Sequence, residues 1–257
     1  MLLLIDAGNT RIKWSMVDSA EKGAKALGHW AASGSIECDN VLLLGEAWRG
    51  KKIARVIVSN VGGRAMREGL EQALLRALGP KPVPMEWFAS AAFLGDVHNG
   101  YQNPAQLGCD RFASVIGAHA LFPKQPLIVA TCGTATTIDA VTADGLFLGG
   151  MILPGLGLMA TSLARNTAQL PQVTQQVLAS TPFADNTDDA ILSGCIAAQA
   201  GAIERAVTEH AGQRAIPAVQ CILSGGAAAW IAPHLSVPCK SVENLVLIGL
   251  HKVAMQH

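Results

Sequence analysis

Asp6, Gly8, Asn9, Thr10 and Lys13 place a carboxylate, a glycine, an amide, a hydroxyl and an ammonium within eight residues, directly after the apolar run Leu2-Leu3-Leu4-Ile5. A buried strand delivers the carboxylate to its own end, where it can meet a hydrated magnesium ion. Gly8 has no Cβ, so the chain can turn sharply and phosphate oxygens can approach its amides. Thr10 adds a donor and Lys13 a cation, completing the parts a nucleotide-phosphate site needs.

A partial echo lies about half a chain later. Leu127-Ile128-Val129-Ala130 runs into Thr131-Cys132-Gly133-Thr134-Ala135, again apolar strand followed by a glycine turn with hydroxyls. Aligning Gly8 with Gly133 sets Asp6 over Thr131. The offset is far longer than a solenoid period and points to a duplicated domain. Two such hairpins, one from each half, can face across a cleft and hold a polyphosphate from both sides. Ser224-Gly225-Gly226, after the buried run Cys221-Ile222-Leu223, adds a strand-to-helix step where a flat adenine or ribose can lie against backbone.

Gly108-Cys109-Asp110-Arg111 opens a helix after a polar loop. An acid beside an arginine is ordinarily a weak surface ion pair. In a nucleotide cleft the carboxylate can take a proton from a substrate hydroxyl, and the guanidinium can fork onto a carboxylate or a phosphoryl group. Tyr101, the single tyrosine, is either a packed loop residue or a wall of the acceptor pocket. The seven histidines show no ligand spacing, and His119 reads as packed. No nucleophile elbow and no Walker P-loop is present, so phosphate handling must rest on hairpin turns.

These residues need elements to hold them. The pattern predicts a hairpin of strands over 2–7 and 11–17, then a strand over 53–59 ended by Asn60-Val61-Gly62-Gly63. A helix follows through Leu70, Leu74, Leu75 and Leu78, stopped by Gly79-Pro80. Residues 41–48 read as either strand-like or amphipathic, and 95–108 read as loop. A helix is expected over 111–121 with Ala113, Ile116, Ala120 and Leu121 facing inward. In the second half, strands lead through Asp144-Gly145 and Gly149 to Gly155 into a helix near 157–170. A long helix starts near Thr187, capped by Thr187 or Asn186, with Ile191, Cys195 and Ile196 on its apolar face. Strands alternating with helices give an α/β class, with domains over 1–120 and 121–257.

The chain has 257 residues, half of them hydrophobic, and 19 basic residues balance 19 acidic ones. That supports a large core and supplies no nucleic-acid footprint and no polybasic membrane anchor. Six scattered cysteines without C-x-x-C or zinc spacing read as reduced, mostly buried thiols. The opening leucines are too few for a secretion signal, and no apolar stretch is expected to reach the roughly 18 residues of a membrane span. The expectation is a cytoplasmic protein.

Together these residues resemble the type III pantothenate kinases of the acetate/sugar kinase–Hsp70–actin clan. The motifs are D-A-G-N-T-R-I-K at 6–13, Y-x-x-P-x-x-L-G-x-D-R at 101–111, G-T-A-T-T-I-D at 133–139 and G-G-x-I-x-P-G at 149–155. N-T at 186–187 with Gly194 downstream and S-G-G at 224–226 complete the set. The resemblance implies two ribonuclease-H-like, actin-like ATPase domains with mixed sheets and flanking helices, a cleft between them, and a homodimer. It implies ATP-dependent phosphorylation of pantothenate, the first step towards coenzyme A. It assigns ATP to Asp6, Ala7, Gly8, Asn9, Thr10, Arg11, Ile12, Lys13 and Thr134, and Mg²⁺ to Asp6, directly or through water. It gives pantothenate to Tyr101, Gly108, Cys109, Asp110, Arg111 and Thr187, with Asp110 as proton acceptor. It also implies a monovalent cation, K⁺ or NH₄⁺, although Thr131 stands where many members carry an aspartate for it. Alternatives are a kinase of another small hydroxy acid and a transcriptional accessory factor of the same family.

Overall fold

A computed structural model describes residues 1–18, 26–79, 83–166, 182–213 and 218–256. The chain divides into two compact units, Met1–Pro123 with Asn244–His257, and Lys124–Glu243.

The first unit is built on β1 (Leu2–Ala7), β2 (Arg11–Val17), β3 (Ala32–Glu37), β4 (Arg55–Asn60) and β5 (Met85–Trp87), in the order β3-β2-β1-β4-β5. The first three strands run as an antiparallel meander, while β4 and β5 add in parallel on the other edge of β1. β1 is central, so Leu3, Leu4 and Ile5 are fully buried. The second unit repeats this plan. β8 (Leu127–Cys132), β9 (Ala135–Val141) and β10 (Leu146–Pro154) form the meander, and β11 (Gln220–Ser224) and β12 (Cys239–Ser241) add in parallel beside β8. The echo seen around Gly8 and Gly133 is therefore a repeat of sheet topology. Asp6 and Thr131 take the same place, one residue before the end of the central strand.

Flanking helices include α1 (Leu44–Trp48), α2 (Gly63–Leu78) and α3 (Cys109–Leu121) in the first unit, and α4 (Leu156–Asn166), α5 (Thr187–Gln213) and α6 (Ala228–Ile231) in the second. Residues 41–48, open between a strand and an amphipathic segment, form the end of a 3₁₀ turn running into α1. The loop over 95–108 carries β7 (Val97–Asn99), which pairs with β6 (Phe93–Leu94), and a 3₁₀ turn at Pro104–Gln106. The stop at Pro80 and the helix expected over 167–170 lie outside the described residues.

One expectation is corrected. The last helix, α7 (Leu245–Ala254), belongs to the first unit, not to a domain running to the C-terminus. It is apolar nearly all round and lies against α3 at backbone contact. A Cβ on Gly249 would sit 1.9 Å from the Ala113 carbonyl oxygen, and one on Gly117 2.5 Å from that of Leu245. α3 is thereby covered on both faces. Residues 111–118 are all buried, whereas Ala120 and Leu121, expected inward, are only half-buried.

A second correction concerns apolar length. α5 is long and apolar enough to cross a membrane by length and composition, with half of its apolar window buried inside the protein. Its buried face holds Ile191, Leu192, Cys195, Ile196, Ala200 and Ile203, a core-helix spacing.

Candidate active site

β1 and β2 are paired so that Asp6 lies opposite Lys13, and β1 and β4 so that Asp6 lies beside Ser59. The turn between β1 and β2 closes with the Gly8 amide donating to the Arg11 carbonyl at 3.1 Å. A Cβ at Gly8 would stand 3.2 Å from that same oxygen, a tight fit. Asn9, Thr10 and Arg11 are exposed at the tip, with the Arg11 guanidinium donating to Ser35 Oγ at 3.0 Å. Ala7 and Ile12 are fully buried and anchor the turn in the core.

α3 starts beside the end of β4. Cys109 Sγ lies 3.4 Å from Ser59 Oγ and 3.7 Å from the Asn60 carbonyl oxygen. Since Ser59 neighbours Asp6, this join brings Asp110 within electrostatic reach of Asp6. Burial and the Asp110 charge together push the Asp6 carboxyl up to about 7, and Lys13 partly offsets them. A carboxyl held protonated by burial and a neighbouring negative charge is relieved by a cation. Asp110 itself accepts the Arg111 amide at 2.8 Å, a fixed rotamer in the first turn of the helix.

Arg111 is buried, and its guanidinium donates to Tyr101 Oη at 3.1 Å, with the guanidinium carbon 5.9 Å from the ring centre. The Tyr101 amide donates to Asn99 Oδ1, and Asn99 Nδ2 to the Pro104 carbonyl, each at 3.1 Å. The polar loop is thus a built support for Tyr101 and Arg111. The first unit gathers Asp6 to Lys13, Tyr101 and Gly108 to Arg111 on connected strand ends and one helix start.

In the second unit, Gly133 and Thr134 form the β8–β9 turn, the Gly133 amide donating to the Ala135 carbonyl at 3.0 Å. Two further glycines seal it. A Cβ on Gly155 would fall 2.0 Å from the Gly133 carbonyl oxygen, and one on Gly225, at φ +91°, 2.3 Å from that of Cys132. Any side chain at either position would displace the turn, which accounts for glycine in both later motifs. Thr131, half-buried at the end of β8, presents a hydroxyl where the first unit has the Asp6 carboxylate.

Thr187 begins α5, exposed, on the wall of an open groove of about 640 Å³ that Asn186, Asp185, Ile191, Met159 and Leu163 also line. Asn186 rather than Thr187 caps the helix: its Oδ1 accepts the Asp189 amide at 3.0 Å. Asp188 and Asp189 then sit at the positive helix end.

Sequence reasoning missed Cys38. Its amide donates to the Thr10 carbonyl at 3.1 Å, and its Sγ to the Gly8 carbonyl at 3.4 Å. Burial, helped by the Asp39 charge, pushes this thiol up, so it stays a protonated donor to the turn. All six cysteines are free, three buried and three half-buried.

For magnesium, the residues fit. Among the described residues no three His, Cys, Asp or Glu side chains group to cage an ion. A cation beside Asp6 and Asp110 would take its remaining oxygens from phosphate and water, the usual Mg²⁺ arrangement in phosphoryl-transfer sites.

Comparison with known proteins shows the family and the fold. The family model described as type III pantothenate kinase matches residues 2–209. A type III pantothenate kinase from Janthinobacterium sp. (strain Marseille) is 62% identical, covering 100% of this chain and 98% of its own. Two solved structures share the fold. One, from Campylobacter jejuni and assigned to the Baf family of transcriptional activators, has TM-score 0.61, 21% identity, and 99% and 98% coverage of this chain and its own. The other, from Sinorhizobium meliloti and assigned as a 2-dehydro-3-deoxygalactonokinase, has TM-score 0.59, 13% identity, and 100% and 99% coverage. With two mixed sheets, flanking helices and these relatives, the chain has the actin-like ATPase fold and belongs to the type III pantothenate kinase family.

Proposed function

We propose that this protein transfers the γ-phosphoryl group of ATP to the primary hydroxyl of pantothenate, the first step towards coenzyme A. The observation that carries the reading is the charge-coupled pair Asp6 and Asp110, set at the end of a buried strand and the start of a buried helix. Phosphoryl transfer is largely positioning and charge stabilisation. Mg²⁺, arriving with the nucleotide, supplies neutralisation of the phosphate charge, and Asp6 is the residue that would hold it. The Gly8–Lys13 turn of the first unit binds ATP phosphates, and Thr134 in the turn of the second unit is assigned to ATP as well. Asp110 accepts the proton of the attacking hydroxyl, while Arg111, steadied by Tyr101, pairs with the pantothenate carboxylate. Gly108, Cys109 and Thr187 complete the pantothenate contacts.

A monovalent cation, K⁺ or NH₄⁺, belongs to the same proposal, with the Thr131 hydroxyl as one of its oxygens in place of a carboxylate. We assign the protein to the cytoplasm, with no nucleic-acid or membrane partner. As a homodimer it would cover the exposed Met151 and Ile152 of β10 and Leu158 and Leu163 of α4. Sedimentation should then give twice 26.8 kDa, and a monomer at micromolar concentration would contradict the dimer.

An acceptor comparison tests the function. Purified protein with ATP and Mg²⁺ should phosphorylate pantothenate and leave sugars and water essentially untouched, faster with K⁺ or NH₄⁺ than with Na⁺. Transfer to another hydroxy acid in preference would replace the acceptor assignment. Salt-dependent DNA binding without ATP turnover would favour the transcriptional reading, which zero net charge disfavours.

A further inference from the structure

Gln199 has no part in the chemistry above, yet it is fully buried on the apolar face of α5, three turns beyond Thr187. Its Nε2 donates to the Pro154 carbonyl oxygen at 2.7 Å and lies 3.1 Å from Met159 Sδ. Its Oε1 has no hydrogen-bond partner. A buried amide with one end unpaired is costly to keep, and an apolar side chain of the same length would fill the space without that cost. Packing alone does not account for glutamine here.

The peptide it grips does. Pro154 ends β10 opposite Ala135, the residue that follows the second glycine turn. The Pro154 carbonyl and the Gly155 amide are the two ends of one peptide group. The carbonyl accepts from Gln199, and the Gly155 amide donates to the Thr134 carbonyl at 2.9 Å. The relay therefore runs from the Gln199 amide through a single peptide plane into the turn that holds Thr134. Hydrogen bonds in such a line polarise one another, so the first strengthens the second. Gly155 is also the residue on which the Gly133 carbonyl rests with no room for a Cβ, so tilting this peptide would move the turn. The Gly155 carbonyl in turn accepts the Met159 amide at 2.9 Å, so α4 starts from the same fastened point.

We infer that Gln199 is a positioning residue for ATP: through the Pro154–Gly155 peptide it fixes the Gly133–Thr134 turn in its phosphate-binding conformation. The inference rests on the assignment of that turn to ATP. It gives a polar residue in the middle of a core helix a role in nucleotide binding that the family motifs do not mark.

The test compares wild type, Gln199→Met and Gln199→Glu in the pantothenate assay, alongside thermal melting. Methionine keeps length and volume but removes the donor. Glutamate keeps the shape but, when ionised, turns an acceptor toward the Pro154 carbonyl. Gln199→Met should melt at or above the wild-type temperature, raise KM for ATP about tenfold, the scale of one lost positioned hydrogen bond, and leave KM for pantothenate within about twofold. Gln199→Glu should show the same selective ATP defect. Wild-type ATP kinetics in a folded Gln199→Met protein would overturn the inference. A lowered melting temperature with both KM values and kcat degraded together would also overturn it, because that is the signature of a purely structural residue. Should one variant fail to fold, the other decides on the same two outcomes. Absence of pantothenate phosphorylation by the wild type would sink the parent reading instead, so the two failures are distinguishable.

Discussion

Asp110→Asn should leave a folded protein that binds ATP normally and turns over about 10²–10⁴ times more slowly, the usual loss on removing a positioned general base. The substitution is mild structurally. Asp110 accepts the Arg111 amide through Oδ1, and an asparagine carbonyl oxygen can accept the same bond. The helix start also stays joined to β4 through Cys109. What disappears is the ability to take a proton. Steady-state kcat and ATP titration of the variant check this. Wild-type turnover would remove Asp110 from its role, and a large loss of ATP affinity with intact melting would recast it as a partner of Asp6 in holding the metal.

The second large effect is at Asp6, and it has two opposite parts. Asp6→Asn should lower kcat/KM by at least about 10², because Asp6 is the carboxylate proposed to hold Mg²⁺. The same variant should be more stable than wild type at alkaline pH. In the folded protein the Asp6 carboxyl is pushed from 3.8 to about 7, first by burial and then by the Asp110 charge. Between those values the folded state holds a proton that the unfolded chain has released. The group's contribution to stability is therefore full below about pH 4 and is lost as pH rises through about 7. Asparagine resembles the protonated acid and does not titrate. Denaturation curves of the two proteins should nearly coincide at pH 4 and diverge by about 2–4 kcal/mol in favour of Asp6→Asn at pH 8. An equal pH slope for both proteins would mean that Asp6 carries no such strain.

How much of this could be read from the chain depends on how local each feature is. The first turn was legible because an apolar strand, a glycine and three polar side chains adjoin within eight residues. The second was legible as its echo, and the two meanders with parallel additions give that echo its structural meaning. Asp110 and Arg111 stood out as a motif, but their surroundings did not. The coupling of Asp110 to Asp6 depends on Cys109 reaching Ser59, fifty residues away. α7 escaped because a helix apolar on nearly every side has no periodic face to read, and its place in the first unit is set by contact with α3. β12 is only three residues long. Cys38 read as a small buried hydrophobe, since its two bonds to the first turn are purely tertiary. Gln199 did leave a signal: a polar residue falling in step with Ile191, Cys195, Ile196 and Ile203 on a face that should be apolar.

Amide hydrogen exchange on addition of an ATP analogue with Mg²⁺ tests the central claim most directly, that the glycine turn of each unit is an ATP-phosphate turn. Peptides covering Gly8 to Arg11 and peptides covering Gly133 to Ala135 should each gain protection. Exchange unchanged from the free protein at either turn would contradict it.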